Sequence, residues 1–108
     1  MKYTKQQLLE AVRSEANQKT QEEFYASGDH GYTKHPQEDF LCSGIDTVAM
    51  TVCLLENWLG EIGALDDYDT LPPQDKREIW EASNFCHCGM LGYDQEEADF
   101  YWYKYQKP

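Results

Sequence analysis

Seven apolar residues, Leu41, Ile45, Val48, Val52, Leu55, Leu59 and Ile62, recur along the chain with alternating steps of four and three. Such steps hold side chains on one stripe of an α-helix, where 3.6 residues complete a turn, and they do not suit a strand, whose inward residues fall two apart. A stripe this long has to be buried against other helices or against a second copy of the chain. The seam predicts a central helix over 37–62, broadened by Ala49 and Cys53 and ended by Gly63. Ser43 with Asp46 has capping-box spacing, which would start the main helix later and split off a short turn over 38–42.

The remaining segments read as helices that cover this seam. Thr4 and Gln7 have the spacing of a capping box, and Leu8, Val12 and Ala16 follow at four-residue steps, predicting a helix over 5–26 that ends at Ser27-Gly28. The stretch from Gly28 to Pro36 reads as a loop, and residues 66–70 as a polar connection. Pro73 suits a first helical position, and a helix over 73–90 would turn Ile79, Ala82, Cys86 and Met90 inward before Gly89 and Gly92 end it. Asp94 and Glu97 repeat the capping signature and predict a last short helix. Its aromatic run, residues 100–105, also suits a short C-terminal strand, because aromatics favour pleated surfaces. The expected fold is all-α, one domain over 1–108, with three to four helices bundled around helix 37–62 and that strand as the alternative. A seam of this kind closes equally well on its own helices or on a second copy, so a homodimer stays open.

Charge adds the functional clue. The chain has a net charge of −11, and residues 56–99 hold 12 acids against Lys76 and Arg77 alone. With 41% hydrophobic and 14% aromatic residues, the chain lies outside the disordered class, so this charge sits on a folded surface. Phosphates would be repelled by it, which argues against direct binding to nucleic acid or anionic membrane and points to a basic protein partner. The candidate partner-binding residues are Asp66, Asp67, Asp69, Asp75, Glu78, Glu81, Asp94, Glu96 and Glu97, joined by Tyr101 and Tyr103 as aromatic anchors. Carboxylates held at the spacing of phosphates could occupy the channel of a nucleic-acid-handling protein, and reversing Asp75, Glu78 and Glu81 to lysine would then weaken binding without disturbing the helices. The expected function is non-enzymatic inhibition or modulation of such a protein by nucleic-acid mimicry. Small acidic inhibitors carried by bacteriophages against host restriction, repair or CRISPR machinery share this physics, as an analogy of charge and not of motif. An acidic immunity protein or antitoxin for a basic nuclease is the alternative.

Other chemistry is thinly represented. His30, His35, Cys86, His87 and Cys88 can be drawn as a zinc site, the basis of a third reading as a small zinc-stabilised module. Yet Cys86 and Cys88 would point to opposite sides of a helix, so no metal or other cofactor is expected. A nucleophilic thiolate at Cys86 or Cys88 would be opposed by Glu81, Asp94 and Glu96, and no phosphate-binding loop, dinucleotide fingerprint or serine elbow is present, so no catalytic residue is assigned. The first residues lack the apolar core of a secretion signal, and no apolar run approaches the roughly 20 residues that span a bilayer. A cytoplasmic protein with reduced cysteines is expected.

Overall fold

Thr4 starts the first helix as its spacing predicts. Its Oγ1 accepts the Gln7 N–H at 3.2 Å, and the Gln7 Oε1 accepts the Thr4 N–H at 2.9 Å, so two otherwise orphaned donors are satisfied. In the computed structural model, which describes residues 3–27 and 44–106, every regular element is helical: α1 Lys5–Arg13, α2 Glu15–Ser27, α3 Gly44–Glu61, α4 Leu65–Asp69, α5 Pro73–Ala82, α6 Asn84–Gly89 and α7 Gln95–Gln106. The fold is all-α. The described residues divide into more and shorter helices than the three or four expected, and the points of division have local causes.

Serine makes two of the breaks. The expected helix 5–26 is divided at Ser14, whose backbone turns extended while its Oγ accepts the Asn17 N–H at 3.1 Å to cap α2. The expected helix 73–90 is divided in the same way at Ser83, whose Oγ accepts the Cys86 N–H and donates to the Trp80 carbonyl at 2.7 Å. A serine hydroxyl competes with the helical ladder for nearby backbone groups, and here each one ends a helix and begins the next. The break at Ser83 shifts the helical phase, so Phe85 becomes fully buried while Cys86 is only half-buried.

Of the predicted central helix 37–62, residues 37–43 lie outside the described residues and α3 covers 44–61. Val48, Val52, Leu55 and Leu59 are buried as the seam requires, Ile62 is half-buried, and Ile45 remains 36% exposed. Thr47, Met50, Thr51, Leu54 and Trp58 are buried as well, so α3 is enclosed on more sides than one stripe implies. Its end at Gly63 matches the sequence: Gly63 adopts φ +76°, and the Ala64 N–H reaches back to the Leu59 carbonyl at 2.8 Å. That left-handed turn is cheap for glycine and satisfies a terminal carbonyl.

The polar connection expected at 66–70 is instead the short helix α4, which buries Tyr68. The strand alternative for 100–105 is overturned, since those residues lie within α7. The Asp94–Glu97 capping box is formed, with Glu97 N–H to Asp94 Oδ1 at 2.7 Å and Asp94 N–H to Glu97 Oε1 at 3.4 Å, and it launches a helix through the aromatic run.

Aromatic contacts tie these helices to α3. Trp80 of α5 is fully buried, stacks on Trp102 of α7 at 4.7 Å, and donates its indole N–H to Thr51 Oγ1 at 3.0 Å. Thr51 in turn donates to the Thr47 and Val48 carbonyls, which lets a hydroxyl sit in the core. Phe85 meets Trp58 and Phe24 edge-on. Buried Gln21 joins three helices, donating to the Val12 carbonyl at 3.2 Å and accepting the Asn84 N–H at 2.7 Å.

Candidate partner-binding surface

The acidic candidates fall into groups with different employment. One group surrounds the start of α1. Asp67 Oδ2 accepts the Tyr3 N–H at 3.0 Å, and the Lys5 ammonium bridges Asp75 at 3.0 Å and Glu78 at 2.6 Å. Those two carboxylates raise the Lys5 pKa by stabilising its charged form, Glu78 most strongly. Both carboxylates lie on α5, so this ion pair spans α1 and α5 at a partly exposed position.

A second group gathers about Arg77, whose side chain is only 11% exposed. The guanidinium lies over the rings of Trp80 and Trp102 at 5.7 and 5.5 Å and pairs with Glu81 and Asp99. At Glu81 the Nε–Oε1 separation is 3.0 Å, although the N–H is not aligned for a hydrogen bond, so this contact is an approach of charges. Gln95 closes the cluster by donating to Glu81 at 3.3 Å and Asp99 at 3.0 Å. Hydrogen bonds from Arg77 and then Gln95 hold the Asp99 carboxyl below its ordinary range. Asp94 and Glu97 cap α7, and their negative charge suits the positive end of its dipole.

Asp66, Asp69 and Glu96 point to solvent, as does Glu61, an acid the sequence reading did not select. Tyr101 is half-buried, edge-on to Tyr93 at 5.8 Å and to Phe100 at 5.3 Å, and its ring packs directly on Gly44. Tyr103 is 58% exposed, and Phe100 is 53% exposed. Trp102 between them faces inward. That alternation follows from helical phase once 95–106 is known to be a helix, and Leu91, 74% exposed, is a further apolar residue on the surface.

Glu56 is shifted in the opposite direction to Asp99. It is half-buried on α3, and burial first, then the charge of Asp69, push its pKa up while Lys76 pulls it down. A raised acid pKa means that the folded state favours the protonated carboxyl. Its contribution to stability is therefore complete below the ordinary glutamate range and is lost as pH rises through the folded-state value. Glu56→Gln is expected to be more stable than the native chain at pH 7, with the two melting temperatures converging as pH falls below about 4. Melting curves across pH check this; a constant difference at all pH values would contradict it.

Cys86, His87, Glu81 and Asp94 line a cleft of about 400 Å³ between the end of α5, α6 and the start of α7. Burial, with a smaller contribution from Glu81, pushes the Cys86 thiol up to about 12, and Cys88 is raised by burial and by Glu22. Both effects disfavour a thiolate. The two cysteines are free thiols, and among the described residues no group of three or more His, Cys, Asp or Glu is arranged to hold a metal ion. His30 and His35 lie outside the described residues. Among the described residues no helix is long and apolar enough to cross a membrane.

No protein-family model matches this chain, and neither a curated protein nor a solved structure matches it.

Proposed function

We propose that this chain is a non-enzymatic acidic binding protein that inhibits or modulates a basic, nucleic-acid-handling protein by presenting carboxylates where phosphates would sit. The observation that carries the reading is the concentration of 12 acids between residues 56 and 99, with several carboxylates left turned to solvent on a folded helical surface. Phage-type counter-defence inhibition is the biological setting that suits such a surface. A cytoplasmic location and an enclosed single domain belong to the same proposal, as does the bundle of helices around α3.

Asp75, Glu78 and Glu81 are the wrong residues to reverse in a test. They pair with Lys5 and Arg77, so lysines in their place would set like charges together beside these cations and confound a loss of binding with a local change in structure. The outward acids give a cleaner variant: Glu61→Gln, Asp66→Asn, Asp69→Asn and Glu96→Gln combined. Each change leaves a polar side chain of similar size and reduces self-repulsion. In affinity capture from a nuclease-treated bacterial lysate, the native chain is expected to retain a basic nucleic-acid-handling protein that salt releases, and the combined variant to lose it. Equal retention by both, or retention insensitive to salt, would overturn the proposal.

A further inference from the structure

We propose that the first two turns of α7 form a docking surface for a basic segment of a partner protein that carries at least one large apolar side chain. This deepens the function proposed above and rests on it.

A hollow of about 290 Å³ is bounded by Asp94, Glu96, Glu97, Phe100 and Tyr101. Its walls are held in place: Asp94 and Glu97 are fixed by the capping box, and Tyr101 is packed on Gly44 and set edge-on between Tyr93 and Phe100. Phe100 is 53% exposed at the rim, although Trp102 two residues on is stacked in the core. A preformed hollow of this kind costs little ordering on binding, and a half-exposed phenyl ring beside it offers apolar area for an anchor.

The surrounding charge selects the occupant. Three carboxylates border the hollow, and the Phe100 ring already accepts a cation, with the Lys104 ammonium 5.5 Å from its centroid. Lysine or arginine on a partner would meet the carboxylates with their heads and cover Phe100 with their aliphatic stems. A second copy of this chain fits poorly, because a two-fold contact would bring the same three acids against each other.

The test is a titration of the ¹⁵N-labelled full chain with an amphipathic Lys/Leu peptide of about 14 residues, roughly four helical turns. Two control peptides replace its leucines by serine or its lysines by glutamate. Amide shifts confined to residues 93–104, with the controls failing to bind, are expected. Phe100→Ala is expected to weaken binding about tenfold or more, and Glu96→Gln with Glu97→Gln to weaken it and flatten its salt dependence. A Gln at 97 still accepts the Asp94 N–H, so the cap is kept. Shifts centred on Glu61, Asp66 and Asp69 would overturn this docking site while leaving the charge-read function standing. Undiminished binding by Phe100→Ala, or equal binding of the glutamate peptide, would also overturn it. So would concentration-dependent shifts of the free protein at these residues, which would assign the face to a second copy. If no peptide binds, the docking site is wrong, and displacement of DNA from a basic protein by the native chain then decides the wider proposal separately.

Discussion

Trp80→Ala is expected to remove about 3–5 kcal/mol of stability, the range for truncating a large buried aromatic. Small domains hold only about 5–15 kcal/mol in total, so this single change removes a large share of it. The size of the effect follows from what Trp80 joins. Its ring stacks on Trp102 of α7, its N–H reaches Thr51 of α3, and the Arg77 guanidinium lies over it. Removing it opens a cavity where α3, α5 and α7 meet and leaves Arg77 with less to cover. Urea denaturation followed by far-UV circular dichroism measures the loss without relying on tryptophan emission. A loss under about 1 kcal/mol would contradict this description of the core.

Gly89→Ala is expected to destabilise the chain, although alanine normally favours a helix by about 1 kcal/mol over glycine. A Cβ on Gly89 would overlap the Thr51 methyl group, and the backbone of α6 approaches α3 closely at that point. Thr51 cannot turn its methyl away cheaply, because its hydroxyl is committed to the Thr47 and Val48 carbonyls and to the Trp80 indole. Overpacking of this kind costs about 1–3 kcal/mol, and after the helix gain of about 1 kcal/mol a net loss of about 1–2 kcal/mol is expected. Thr51→Ser removes the obstructing methyl but keeps the hydroxyl. In that background Gly89→Ala should become neutral or slightly stabilising, a reversal of sign that a double-mutant cycle reads directly. Equal losses in both backgrounds would show that the close approach at Thr51 is not what demands glycine.

Gly89 also shows what the sequence concealed. It ends α6 as it reads, but it also lets two helices approach, whereas Gly63 and Gly92 take the positive φ characteristic of a terminating glycine. Local signals were legible wherever a few neighbouring residues decide the outcome: the capping boxes at Thr4 and Asp94, Pro73 at its first helical position, and the turn at Gly63 all stand in the structure. The breaks at Ser14 and Ser83 carry the same kind of signal, a hydroxyl three residues before an amide it accepts, but each lies inside an otherwise continuous apolar pattern. Burial of Thr47, Thr51, Gln21 and Tyr68 depends on partners distant in sequence, which periodicity does not contain.

The candidate surface was legible as charge and not as arrangement. The sequence shows how many carboxylates there are and the i,i+4 spacing of Arg77 and Glu81, but the pairing of Lys5 with Asp75 and Glu78, and of Arg77 with Asp99, depends on which helices meet. Asp75, Glu78 and Glu81 are paired with Lys5 or Arg77, while Glu61, Asp66, Asp69 and Glu96 face outward. Phe100 follows the same logic. Its exposure depends on the phase of α7 relative to Trp102, and that phase is fixed only when Trp102 stacks on Trp80.

The most direct measurement of the proposed function is competition for a nucleic-acid site. A labelled DNA duplex is bound to the protein that this chain captures, and fluorescence anisotropy is followed as the native chain or the Glu61, Asp66, Asp69 and Glu96 neutralised variant is added. The native chain is expected to displace the duplex stoichiometrically, with salt weakening the displacement, and the neutralised variant to require at least about tenfold more protein, a difference of about 1.4 kcal/mol. Simultaneous binding of duplex and native chain, with anisotropy rising as the complex grows, would contradict mimicry of the phosphate backbone.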